Sequence, residues 1–330
     1  LGCRTRFLFG VNYAWKNFGI DFGGSAAWMQ RGVSRAPDSY CADFAVMRDH
    51  GVNAVRWWLL PDFRSEAVVF SAEGAPQGLG GTVTDDITKA LEIAARYDVY
   101  LIFSLFSFDA FRPTREERGA SVRGLSPIIR SPALRRDLIE KVLRPIAKTV
   151  ASSPYAGRLA AWDLMNEPEW VITGTSLYGD PDFEPRKDVD PVTHAELETF
   201  LREVLTMLRA ESKAQVTVGS AAVKWKHAWS KLDLDFREFH VYEWVNDYFP
   251  YTRSPAEWGL ADKPLVMGEF PIHGFKPTER NPNAVPTSQL LQSFYADGYA
   301  GALAWDFSGG ADALPVLRDF SAAHACETRF

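Results

Sequence analysis

The chain has 330 residues, 46% of them apolar and 24% charged, and carries a net charge of -6. That balance describes a globular chain with material for one large core and excludes disorder. Mild acidity without a basic cluster excludes nucleic acid as a partner, and no run approaches the roughly 20 apolar residues that a membrane span needs.

Phe7-Leu8-Phe9-Gly10-Val11-Asn12-Tyr13 reads as a first strand, followed by a Gly-rich, aromatic loop to Pro37. The pattern then predicts a helix from Asp38 to His50, stopped by Gly51. Val52 to Leu59 is the second strand. After a long Gly/Pro loop, a helix opens at Thr84-Asp85-Asp86 with Ile87, Ala90, Leu91, Ala94 and Ala95 at core-facing spacing. Val99 to Phe106 is a continuous apolar run, as expected of a parallel strand buried on both faces. The helix from Pro132 to Ala151 contains Pro145, which predicts a kink or break. Ala161-Trp162-Asp163-Leu164-Met165-Asn166 is the fourth strand, and Glu167-Pro168 ends it. A loop over Glu169 to Pro191 leads to a helix from Val192 to Ala210. The remaining strands are Gln215 to Gly219, Phe236 to Tyr242, a run ending at Glu269, and Ala300 to Phe307. Weaker helices are predicted at Trp225 to Leu232 and Pro255 to Ala261, a better one at Thr287 to Asp297, and a last one at Ala313 to His324.

Eight strands alternating with helices, with the longer loops following strands, predict a (β/α)8 barrel spanning 1–330 as a single domain. A doubly wound open sheet gives the same alternation but usually carries a Gly-rich phosphate turn after its first strand. Phe9-Gly10-Val11-Asn12-Tyr13 is not such a turn.

The chain begins Leu1-Gly2-Cys3 without a methionine, so the expectation is that processing or cloning removed a preceding segment; these residues also fit the tail of a lipoprotein cleavage site. Cys3, Cys41 and Cys326 match no metal motif and read as unpaired thiols, with a Cys3 to Cys326 disulfide as the alternative if a barrel brings the termini together. The 6 histidines include no H-x-H or H-E-x-x-H pair, which weighs against a metal-dependent enzyme; no metal or other cofactor is expected.

Barrels place their chemistry at the C-terminal ends of strands, where Glu167 and Glu269 both fall. Two such carboxyls are the minimum equipment for cleaving a glycosidic bond. Side chains alternate along a strand. His240 and Tyr242 therefore share a face with Phe236 and Glu238, Glu269 with Leu265 and Met267, Arg56 with Ala54 and Trp58, and Trp305 with Leu303 and Gly301. Each set could face one axis. Arg56 could hold one carboxylate ionised and Tyr242 could donate to it, while Asn166 offers an amide donor for a sugar 2-hydroxyl. Trp305 offers a flat face for a pyranose, with Trp57, Trp58, Trp170 and Trp244 as further candidates. Singly, each has a bland reading: a turn glutamate at Glu167, a solvated strand end at Glu269, a structural ion pair at Arg56, a core histidine at His240. Taken jointly, those readings require six coincidences at strand ends.

Arg56 after Gly51-Val52-Asn53, Asn166-Glu167-Pro168, His240-Val241-Tyr242, Gly268-Glu269-Phe270 and Trp305 together resemble clan A glycoside hydrolases, family 5 above all. The resemblance runs from Gly10 to Phe307. It implies Glu167 as acid/base, Glu269 as nucleophile, Asn166 at the 2-hydroxyl, and Arg56, His240, Tyr242 and Trp305 lining the cleavage subsite. Many members, cellulases especially, carry a histidine at the end of strand three, where this chain reads Phe103-Ser104-Leu105-Phe106-Ser107-Phe108. Tyr97 to Leu105 and Trp162 to Pro168 look more like the β-mannanase branch. The expectation is a retaining hydrolase of β-linked oligosaccharides or polysaccharides, leaning to endo-acting cleavage of β-mannan and, for a polymeric substrate, exported or held at the cell envelope. Alternatives are a β-1,4-glucanase, an exo-acting β-mannosidase or β-glucosidase, a catalytically silent carbohydrate-binding barrel, and a cofactor-dependent barrel enzyme. The last has only a faint phosphate-site signal in Phe270-Pro271-Ile272-His273 and Ser308-Gly309-Gly310.

Overall fold

The computed structural model describes residues 6–328. Eight parallel strands close into a barrel in which every strand pairs with its neighbours in sequence order. They are β1 (Leu8–Asn12), β2 (Ala54–Leu60), β3 (Tyr100–Phe106), β4 (Leu159–Asn166), β5 (Gln215–Ser220), β6 (Arg237–His240), β7 (Leu265–Pro271) and β8 (Gly301–Trp305). Closure rules out the doubly wound alternative. Ala54, Ile102, Ala161, Phe236, Val266 and Leu303 fill the lower interior. A much larger apolar layer lies between the strands and the surrounding helices.

The helices form where the sequence caps and patterns them. Pro37–Asp49 starts with proline in its first turn and is followed by Gly51 at φ 76°. His194–Glu211 is opened by a capping box in which Thr193 and Glu196 satisfy each other's backbone N–H groups. At Pro145 the helix does not break. A π-helical turn, Ile139–Leu143, precedes it and places the proline in the first turn of Arg144–Ser152, where its missing N–H costs nothing.

Two expected helices do not form. Val223–Trp225 is a single 3-10 turn followed by non-helical turns, and 255–261 is a string of turns through Gly259 at φ 71°. Segments this short cannot offset helix nucleation. The sixth strand ends at His240 rather than Tyr242, which starts the short helix Glu243–Asn246.

At the bottom of the barrel the Asn53 amide donates to the carbonyls of Phe7 and Thr328, tying the two ends of the chain together. Cys41 is a free thiol, whereas Cys326 is disulfide-bonded, so the expectation of three unpaired thiols fails there. The Cys3 side of the pairing question lies outside the described residues. No helix among the described residues is long and apolar enough to cross a membrane.

Candidate active site

Arg56, fully buried on β2, is the hub of the C-terminal rim. Its Nη1 donates to Glu269 Oε1 at 2.8 Å and to Asn12 Oδ1 at 3.1 Å; its Nη2 donates to Asp163 Oδ2 at 2.7 Å and to Asn166 Oδ1 at 2.9 Å. The guanidinium lies 4.4 Å from the centre of the Trp58 ring. Because Asn166 accepts through its oxygen, its NH2 group remains a donor for the cleft that the residue lines.

Simple alternation accounts for β2, β6 and β8, where Ala54, Phe236 and Leu303 point inward as expected. It fails on β7. Leu265 and Met267 pack outward among the helices, and Val266 points into the barrel. Glu269 nevertheless turns inward because the register slips between Met267 and Phe270 against β8 and between Phe239 and His240 against β6. A third slip, between Thr217 and Gly219 opposite β4, lets Asp163 and Asn166 both face Arg56 although an odd spacing separates them. Asp163 Oδ1 accepts the N–H groups of Met165 and Gly219 and so stabilises this irregularity. Bulges of this kind re-aim side chains at functional rims.

Glu167 follows directly, with a left-handed backbone (φ 48°, ψ 54°) that costs a non-glycine residue roughly 1 kcal/mol. Its Oε1 lies 2.9 Å from His240 Nδ1, and its Oε2 accepts from Trp170 Nε1 at 2.9 Å. Glu269 Oε2 accepts from the Tyr242 hydroxyl at 2.7 Å, and His240 Nδ1 lies 3.5 Å from it. One oxygen from each glutamate and a ring nitrogen of His240 all lie within 4.8 Å of one another. That gap suits direct attack by one carboxyl on a sugar that the other protonates; an intervening water would need roughly 6.5 Å or more.

The environments differ as the chemistry requires. Burial pushes Glu167 up to about 7, opposed by the Trp170 donor and by the charge of Arg56. Burial also raises Glu269, but Arg56 and Tyr242 contact its oxygens and favour the carboxylate. Burial depresses His240 to about 4, leaving a neutral ring whose Nδ1 is hydrogen-bonded to Glu167 and lies close to Glu269. Burial and both neighbouring carboxyls push Tyr242 well above its ordinary range, so it keeps its proton.

A cleft of about 360 Å³ opens above these groups, walled by Trp15, Asp109, Trp170, Trp244 and Trp305 among others. All seven residues singled out from the sequence, Arg56, Asn166, Glu167, His240, Tyr242, Glu269 and Trp305, converge on it or lie directly beneath it. Trp57 and Trp58 do not serve as platforms. Trp57 is sealed under the helices with its N–H on Asp21, and Trp58 is buried against Arg56. Sequence reasoning missed Asn12, Asp163 and Glu238, buried polar residues on β1, β4 and β6, and also Trp15 and Asp109 on the loops after β1 and β3. A polar residue within an apolar run was the available signal for Asn12 and Asp163, whereas Glu238 lies between Arg237 and Phe239 in a strand that is mostly polar. Ser107 and Asp109 stand in the cleft wall just beyond the end of strand three.

Fold and site together are those of a retaining glycoside hydrolase, and the chain resembles clan A, family 5 above all. No protein-family model matches the chain. Mannan endo-1,4-beta-mannosidases from Mytilus edulis and Cryptopygus antarcticus are each 25% identical to it, covering 91% and 94% of this chain and 83% of either relative. The X-ray structure of the beta-mannanase from the blue mussel Mytilus edulis matches with a TM-score of 0.76 at 22% identity, covering 98% of this chain and 94% of that one.

Proposed function

We propose that the chain hydrolyses internal β-1,4 linkages of mannan by double displacement, with Glu269 as nucleophile and Glu167 as acid/base. The observation that carries the mechanism is the approach of the two carboxyl groups to within 4.8 Å. The two curated relatives, named for this linkage, support the choice of substrate. The Glu269 carboxylate attacks the anomeric carbon while Glu167 gives its proton to the departing glycosidic oxygen. A covalent glycosyl-enzyme results. Water then attacks the same carbon, Glu167 removes its proton, and the bond to Glu269 breaks with the β configuration restored. Asn166 holds the 2-hydroxyl, Trp305 stacks on the sugar, and Arg56 and Tyr242 hold the nucleophile. His240 spans the two glutamates. Since a polymer of this size does not enter a cell, the reaction takes place outside it.

Because Glu167 must carry a proton to act as the acid, kcat/KM on mannan should fall as pH rises through about 7. A plateau well into the alkaline range would remove Glu167 from that role. Incubation with mannan, β-glucan, xylan and galactan should release reducing ends from mannan, with a rapid loss of viscosity that marks internal cleavage. Mannose as sole early product would favour exo action, for which the long loops after β1 to β4 provide the walls. Release from glucan alone would overturn the choice of sugar, and binding without release would overturn catalysis.

A further inference from the structure

Three carboxyl groups share the one guanidinium at the centre of the barrel. Asp163 takes the Nε and Nη2 hydrogens at 3.1 and 2.7 Å, and Glu269 takes one from Nη1 at 2.8 Å. The third, Glu238 on β6, has Oε1 3.0 Å from Arg56 Nε. However, Nε carries a single hydrogen, and that hydrogen points to Asp163. Neither buried oxygen of Glu238 has a hydrogen-bond partner among the described residues. The surrounding backbone is shaped for this side chain: a Cβ at Gly268 would come within 2.3 Å of Glu238 Oε1, and one at Gly219 within 2.3 Å of Arg56 Nη2. Three ionised carboxylates would outnumber the single cation in a dry interior. The one without hydrogen-bond donors is the one neutralised at least cost.

We propose that Glu238 is a positioning residue for the nucleophile: held as a neutral carboxyl against Arg56, it leaves the guanidinium to Asp163 and Glu269 and so fixes the attacking oxygen. The charged and titratable groups around it are Arg56 on β2, Asp163 on β4, Glu269 on β7 and His240 on its own strand. Burial, opposed by Arg56 and reinforced by Asp163 and Glu269, pushes Glu238 up to about 8. Ionised, it competes for Arg56 and draws the guanidinium from Glu269, and misplacement of a reacting group by about 1 Å costs on the order of 10²-fold in rate. The inference rests on the retaining mechanism and is independent of the sugar.

The test compares wild type with Glu238→Gln on the 2,4-dinitrophenyl β-glycosides of mannobiose and cellobiose, whose leaving groups need no proton from Glu167. The ratio of variant to wild-type kcat/KM should rise about tenfold between about pH 7 and about pH 9, because only wild type loses its neutral Glu238. A ratio constant with pH overturns the proposal. A second arm needs no substrate. A group raised on folding contributes stability that is complete below its unfolded value and is lost as pH rises through its folded value. The urea midpoint of wild type should therefore fall relative to Glu238→Gln from about pH 5 to about pH 8, and a constant difference counts against the proposal. Should the glutamine variant not fold, Glu238→Met is measured in the same way. Failure of both neutral side chains to fold also overturns the proposal, since a resting neutral carboxyl has to be replaceable by a neutral isostere.

Discussion

Glu269→Ala is expected to lower turnover by roughly 10⁴-fold while sugar binding survives. The substitution removes the carboxylate that is held both by Arg56 at 2.8 Å and by Tyr242 at 2.7 Å, and with it the oxygen that forms the glycosyl ester. Azide identifies the missing step. With a dinitrophenyl glycoside, azide occupies the vacated space, attacks the anomeric carbon as the phenolate leaves, and gives the α-glycosyl azide. In Glu167→Ala, azide instead intercepts the covalent intermediate and gives the β anomer. Product stereochemistry by NMR separates the two roles, and wild-type turnover in Glu269→Ala removes the nucleophile assignment.

Arg56→Ala is expected to destabilise the fold by about 3–5 kcal/mol, read as a drop in urea midpoint. Arg56 contacts Asp163, Glu238 and Glu269 at 2.7, 3.0 and 2.8 Å with no exposure to solvent, and its guanidinium lies over the Trp58 ring. Removing it leaves a cluster of buried carboxyls without a cation and opens a void against an indole. Arg56→Lys restores a charge but not the planar fork that reaches Asn12, Asp163, Asn166 and Glu269 together, so it should recover only part of the loss. An Arg56→Ala midpoint equal to that of wild type would show that the carboxyl cluster needs no counter-charge. Activity should fall beyond what stability explains, because Glu269 loses one of its two donors.

The strands were legible because buried parallel strands are short apolar runs that end at polar groups. Ala161 to Asn166 and the run ending at Glu269 announce themselves this way, and the order of the runs along the chain was enough for the barrel. Helices with caps or clear stripes, such as the one opened by Thr193, were equally readable. The segments 225–232 and 255–261 were not: their composition permits helix, and only length and the turn at Gly259 decide against it. The aromatic platforms were legible only in part. Trp58 and Trp305 look alike in sequence, yet one lies beneath Arg56 and the other borders the cleft.

The chain by itself determined which residues stand at the strand ends, because alternation and punctuation are properties of a few consecutive residues. It also placed two glutamates on separate strands with an arginine, a histidine and a tyrosine nearby in kind. Tertiary structure alone decided that Glu269 and Asn166 turn inward, since the slips that aim them arise from pairing with β5, β6 and β8, far away in sequence. It likewise decided that Glu167 is raised and that Glu238 lies against Arg56 without a donor, because burial sums the contributions of many distant neighbours and no local window contains that sum.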